Sequence, residues 1–231
     1  MYKRCLIGLV ISYFVLAGGL PGATLAGNEE LSIPPRIQET PAWCWVAVGQ
    51  MVFEHYDIPN INPGGSYQCG IVAALAGPQS PCWRDCRYCN VSASGIGMIN
   101  DMLAFYPRSV AYLTHQPVKQ LSGSVSYSPL TKAQIKTEVD AERPIIVGVS
   151  FDAAPRAISQ HVALIVGYEE AEGKLTLTVN DPFPYDLPQF IRYPNPYEVA
   201  GGDNNHDGSF TIEYEDFRRG LRWRETVHRI H

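Results

Sequence analysis

Cys44 stands between two tryptophans, six residues after Gln38, in the run QETPAWCW. A cysteine attacks as its thiolate, and the first turn of a helix favours that anion because backbone N–H groups there lack partners. The sequence predicts such a turn: Thr40 caps a helix, Pro41 sits in its first turn, and Trp45, Val48, Met51, Val52 and Tyr56 form an apolar stripe. A nearby imidazole would stabilise the thiolate and later protonate a leaving amine. Of the six histidines, His161 opens the apolar strand HVALIVGY, whereas His55, His115, His206, His228 and His231 have no comparable setting. Asp181 ends the next strand, in VNDPFP, and a hairpin from His161 to Asp181 would bring both to one edge of a sheet. Its carboxylate would then accept the second ring N–H and fix the tautomer. Asn180 is the alternative orienting residue, since strand register decides which of the two side chains meets the ring. The Gln38 amide and the Cys44 backbone N–H are the candidate oxyanion donors. Taken alone, Cys44 reads as a small buried hydrophobe. The combination of spacing, helix start, strand-start histidine and strand-end aspartate points to nucleophilic catalysis.

The elements that must position these groups follow from periodicity. A second helix is predicted over about 94–105, with Ile96, Ile99, Met102 and Leu103 on one face, and a third over 131–142, where Thr131 and Gln134 form a capping box and Pro144 stops the chain. IIVGVSF, HVALIVGY and KLTLTVND read as strands, with others near 190–193, 209–214 and 222–229. Helices first and antiparallel strands second predict an α+β fold. The chain has 231 residues, 45% hydrophobic and 18% charged, with a formal net charge of -5. These values fit a globular domain and give no electrostatic footprint for nucleic acid.

Residues 1–26 read as a secretory signal: a basic start, an apolar run from Leu6 to Leu16, and small residues at Thr24, Ala26 and Gly27. The run is shorter than the roughly 20 residues of a membrane span, although a retained N-terminal anchor is the alternative. Removal of the signal predicts a secreted or periplasmic protein that leaves no segment in the membrane. Residues 27–231 would form the domain, with a helical lobe over 27–143, a Cys-rich insertion over 59–90, and a β lobe over 144–231.

Cys5 lies in the signal, which leaves five cysteines, an odd number in an oxidising compartment. Cys69, Cys82, Cys86 and Cys89 fall in one stretch and would pair, which isolates Cys44 as the free thiol. Four cysteines allow three connectivities; Cys69–Cys86 with Cys82–Cys89 is preferred. The rival reading is a zinc site of these four, whose C-x3-C-x2-C spacing lets thiolates converge. DNNHDGSF places Asp203, Asn205 and Asp207 as in the opening of a calcium loop, but Tyr214 occupies the position of the bidentate glutamate. An Asn/Asp/Gly turn feeding a strand is the preferred reading.

Gln38, the gap to Cys44, the following Trp45, and the late His161 and Asp181 resemble papain-like cysteine peptidases. WCWVAVGQM with HVALIVGY and VNDP is most similar to bacterial peptidases related to the double-glycine leader peptidases and to secreted papain-like effectors of plant pathogens. The resemblance implies a helical lobe carrying Cys44, an antiparallel β lobe carrying His161 and Asp181, and a cleft that binds an extended peptide. It departs from papains at Pro41, where they carry a framework cysteine, and at Asp181, where asparagine is usual. Only about eleven residues separate the predicted cleavage point from Gln38, which leaves no room for a folded pro-segment. The expected function is hydrolysis of a peptide or isopeptide bond, without a cofactor and with a peptide or protein as partner. Acyl or amide transfer by the same residues, and an inactive binding module, are the alternatives.

Overall fold

The computed structural model describes residues 27–62, 65–150, 161–185 and 194–231. The predicted signal and the strand expected at 190–193 lie outside them. In chain order the elements are β1 (Gly27–Glu30), α1 (Cys44–His55), α2 (Tyr67–Ala76), α3 (Pro81–Arg84), a 3-10 turn (Cys86–Cys89), α4 (Ile96–Thr114), β2 (Ser124–Ser126) and α5 (Lys132–Val139). There follow β3 (Ile145–Val149), β4 (His161–Ala171), β5 (Lys174–Asn180), α6 (Pro196–Val199), β6 (Asp203–Asn204), β7 (Ser209–Glu213), α7 (Tyr214–Gly220) and β8 (Glu225–His228). The strands form an antiparallel sheet in the order β2-β8-β3-β4-β5-β7-β6, with β1 added beside β4. The chain is therefore α+β, with its longest helices, α1, α2 and α4, in the first half and most strands in the second.

The centre of the sheet is apolar on both faces. All of β3 and the first eight residues of β4 are buried, as expected where helices or loops cover both sides of a strand. Helix α1 packs on β4 and against α2 and α4, and its Val48, Met51, Val52 and Phe53 are fully buried. Strand β1 lies so close to β4 that a Cβ on Gly167 would come within 3.0 Å of the Glu29 carbonyl oxygen. The register of β4 with β5 shifts between Ile165 and Gly167, a bulge that bends the strand beside this contact.

Several elements differ from the sequence reading for local reasons. Helix α1 begins at Cys44 instead of after Thr40, because the Thr40 hydroxyl donates to Asn90 Oδ1 (2.6 Å) while its carbonyl accepts the Trp43 N–H in a preceding turn. The Cys-rich insertion, for which no helix is predicted, contains α2, whose Ile71, Val72, Ala73 and Ala74 are buried. A helix apolar on most sides offers no period to detect. Helix α4 runs past its predicted end and through Pro107, since Tyr106, Pro107 and Val110 are buried and that burial offsets the missing backbone hydrogen bond. The strand expected to reach Tyr214 stops at Glu213, whose carboxylate caps α7 by accepting the N–H groups of Glu215 and Asp216. The Thr131–Gln134 capping box forms as predicted, on a helix that ends three residues early.

The cysteines pair as preferred from sequence, Cys69 with Cys86 and Cys82 with Cys89, at Cα separations of 5.4 and 5.6 Å, within the usual range for disulfides. This pairing uses the thiols that the zinc reading required. Asp203, Asn205 and Asp207 do not converge: Asp203 is in β6, the Asn205 N–H donates to the Ser209 carbonyl, and Asp207 is one of three successive residues with positive φ. Among the described residues, no three His, Cys, Asp or Glu side chains gather in a way that could hold a metal ion. No described helix is long and apolar enough to cross a membrane.

Asn180, buried at the end of β5, donates its side-chain N–H to the Ile33 carbonyl at 2.7 Å and so ties the segment before α1 to the sheet. Asn180→Ala leaves that buried carbonyl unpaired and is expected to lower stability by about 1–3 kcal/mol. Urea unfolding followed by tryptophan fluorescence measures the loss.

Candidate active site

Cys44 is the first residue of α1, so its own N–H has no acceptor within the helix. Its half-buried thiol takes part in no disulfide and is hydrogen-bonded to the His161 ring. His161 opens β4 opposite Val149 of β3, and its Nε2 meets Asp181 Oδ1 at 2.6 Å. With Nε2 engaged there, Nδ1 is the ring nitrogen left for the thiol. The structure thus brings Cys44, His161 and Asp181 into one hydrogen-bonded chain. Asn180, the alternative orienting residue, is turned away and spent on Ile33.

Asp181 is completely buried, and its charge is met by several donors. Besides the imidazole, Oδ1 accepts the Phe183 N–H at 2.8 Å, and Oδ2 accepts the Tyr197 hydroxyl at 2.9 Å. Its own N–H donates to the carbonyl of Gly208, at 2.8 Å. Gly208 has φ near +89°, and a Cβ there would lie 2.9 Å from the Asp181 carbonyl oxygen; glycine permits both the conformation and the approach. The Asp/Asn/Gly turn considered for calcium therefore backs the buried carboxylate. The Phe183 ring stands edge-on to His161, centroids 6.4 Å apart.

These contacts set the charges. Burial pushes the Cys44 thiol up, but the hydrogen bond from His161 and its positive charge outweigh this, with help from the Val162 N–H, and hold the pKa below the ordinary value. Burial alone would lower the His161 pKa; the charge and hydrogen bond of Asp181, followed by the interaction with Cys44, instead raise it to about 10. Both shifts favour a thiolate–imidazolium pair at neutral pH. Burial, then the negative charge of Asp181, raises the Tyr197 hydroxyl well above its usual range, so it stays protonated and able to donate.

Gln38 is held by its backbone N–H on the Pro182 carbonyl (2.9 Å), next to Asp181. Its side-chain Nε2 donates to the Thr40 carbonyl at 2.9 Å, whereas Oε1 is buried without a partner. Gln68 of α2 grips both neighbours, accepting from the Glu39 N–H and donating to the Ile37 carbonyl. Cys44, His161 and Gln38 line a cavity of about 260 Å3 with Trp45, Ile96, Ile99, Val162 and Glu225. The start of α1 is clamped from the disulfide-held side: Trp43 Nε1 donates to the Cys89 carbonyl and Trp45 Nε1 to the Val91 carbonyl, at 3.0 and 3.1 Å.

Sequence reasoning missed Tyr197, Gln68 and Glu225. Tyr197 follows a proline-rich stretch without periodicity, and Gln68 sits in α2, inside the Cys-rich insertion where no helix is predicted. Glu225 was included in a predicted strand, but nothing local showed that it would face a cavity.

The model of the Peptidase_C39 like family matches residues 30–200. That span contains Gln38, Cys44, His161 and Asp181. No curated protein matches the chain. A match over about three quarters of the sequence, on an α+β frame with an antiparallel sheet, shows that the chain belongs to the Peptidase_C39-like family of papain-like cysteine peptidases.

Proposed function

We propose that this protein is an exported peptidase that hydrolyses peptide bonds through Cys44, His161 and Asp181, with Gln38 and the Cys44 N–H stabilising the oxyanion. The observation that carries the reading is the hydrogen-bonded chain from the Cys44 thiol through His161 to a buried Asp181, opening on a cavity. Two disulfides support export to an oxidising compartment.

In the first step Cys44 Sγ attacks the scissile carbonyl carbon, and the carbonyl oxygen becomes an oxyanion. The Cys44 N–H and the second hydrogen of Gln38 Nε2, the first being held by Thr40, stabilise that charge. The C–N bond breaks as His161 Nδ1–H passes its proton to the departing amine, leaving a thioester. His161, now neutral, takes a proton from water through Nδ1. The resulting hydroxide adds to the thioester carbon, the C–S bond breaks, and the acid product leaves with the thiolate–imidazolium pair restored. Asp181 keeps the ring oriented throughout and remains ionised.

Intact-mass labelling of the non-reduced protein with iodoacetamide and with a peptidyl epoxide tests the reading. One fast adduct is expected on the wild type, absent in Cys44→Ser and slowed in His161→Ala; a wild-type Cys44 that resists both reagents in folded protein would overturn it. Gln38→Ala is expected to lower kcat by on the order of a hundredfold with little change in KM, because the oxyanion exists only beyond the ground state. Steady-state kinetics on a cleaved peptide measure this split.

A further inference from the structure

One ionisable residue lining the cavity, Glu225, has no role in the chemistry above. Glu225 is the first residue of β8 and sits directly across from Gly148 of β3, which offers it no side chain from that neighbouring strand. Its backbone carbonyl accepts the Trp223 indole N–H. Among the described residues, its carboxylate has no hydrogen bond or ion pair, although it is half-buried in the lining. The same cavity has apolar lining residues, Ala93, Ile96, Ile99 and Val162 among them. Among the described residues that line the cavity, Glu225 is the charged side chain outside the Cys44–His161 pair. A carboxylate that is partly withdrawn from water and has no partner favours an incoming cation.

We infer that Glu225 selects substrates carrying a basic side chain, lysine or arginine, close to the scissile bond. The inference rests on the peptidase reading and adds its specificity. The methylene stem of such a side chain would lie along Ile96, Ile99 and Val162, and its charged head would reach the carboxylate. An acidic residue at the same substrate position would be repelled, and a neutral one would leave Glu225 desolvated without compensation.

Matched peptidyl acyloxymethyl ketones test this, with arginine or its neutral isostere citrulline placed in turn at each of the three positions before the reactive carbonyl. The reading is the ratio of second-order labelling rates at Cys44, followed by intact mass. In the wild type, arginine should exceed citrulline by on the order of tenfold at one position, the scale of a single charge-assisted hydrogen bond. That ratio should fall to near one in Glu225→Gln, and glutamate should be preferred over glutamine there in Glu225→Lys. A wild-type ratio near one at all three positions, or a preference that survives in Glu225→Gln, would overturn the inference while Cys44 labelling leaves the peptidase reading standing. A wild-type Cys44 that also resists iodoacetamide would overturn both.

Discussion

Asp181 is an anion with no exposure to water, and the rest of the site is organised around the demand that this makes. An ionised carboxylate in the interior is tolerated only when a charge and well-placed donors surround it. Here the charge is the His161 imidazolium, and the donors are the Phe183 N–H and the Tyr197 hydroxyl. Each comes from a different part of the β-rich half: the start of β4, the DPFP segment after β5, and α6. The hairpin turn ending at Gly208 closes on Asp181 from behind. Removing any one of these donors changes more than one hydrogen bond, because the remaining charge must be met by fewer partners.

The second requirement is that a helix begin at Cys44, and it is met from outside the helix. No side chain caps α1. Instead, Thr40, Trp43 and Trp45 are each fastened to the Cys89–Val91 segment, which the two disulfides hold. From the other side, the Pro182 carbonyl, Gln68 and Asn180 fix the extended segment that carries Gln38. The Cys-rich region and the β4–β5 hairpin thus converge on one short stretch of chain from Ile33 to Trp45.

Much of this was legible in local sequence where side-chain pattern and backbone geometry agree. The strands β3, β4 and β5 are β-branched runs bounded by turn residues, and the strand-end placement of His161 and Asp181 follows from them. The four clustered cysteines separate from Cys44 by spacing alone. What escaped was set by tertiary contact. Helix α2 is apolar on nearly all sides and so has no stripe; α4 continues through Pro107 because burial of Tyr106 and Val110 outweighs a lost backbone bond. The choice of Asp181 over Asn180 depends on a register shift between Ile165 and Gly167, and Tyr197 reaches the site from an irregular segment. No sequence pattern announces either one.

The pH dependence of Cys44 alkylation by iodoacetamide tests the ion pair most directly, since the rate follows the thiolate fraction. With a thiol held below its ordinary value by an imidazolium whose own pKa is raised, the midpoint in the wild type should lie below that of an unperturbed cysteine. His161→Ala should move its midpoint upward to that of a buried thiol. A wild-type midpoint at or above about 8.5, the value for an unperturbed cysteine, or one that His161→Ala leaves in place, would contradict the account.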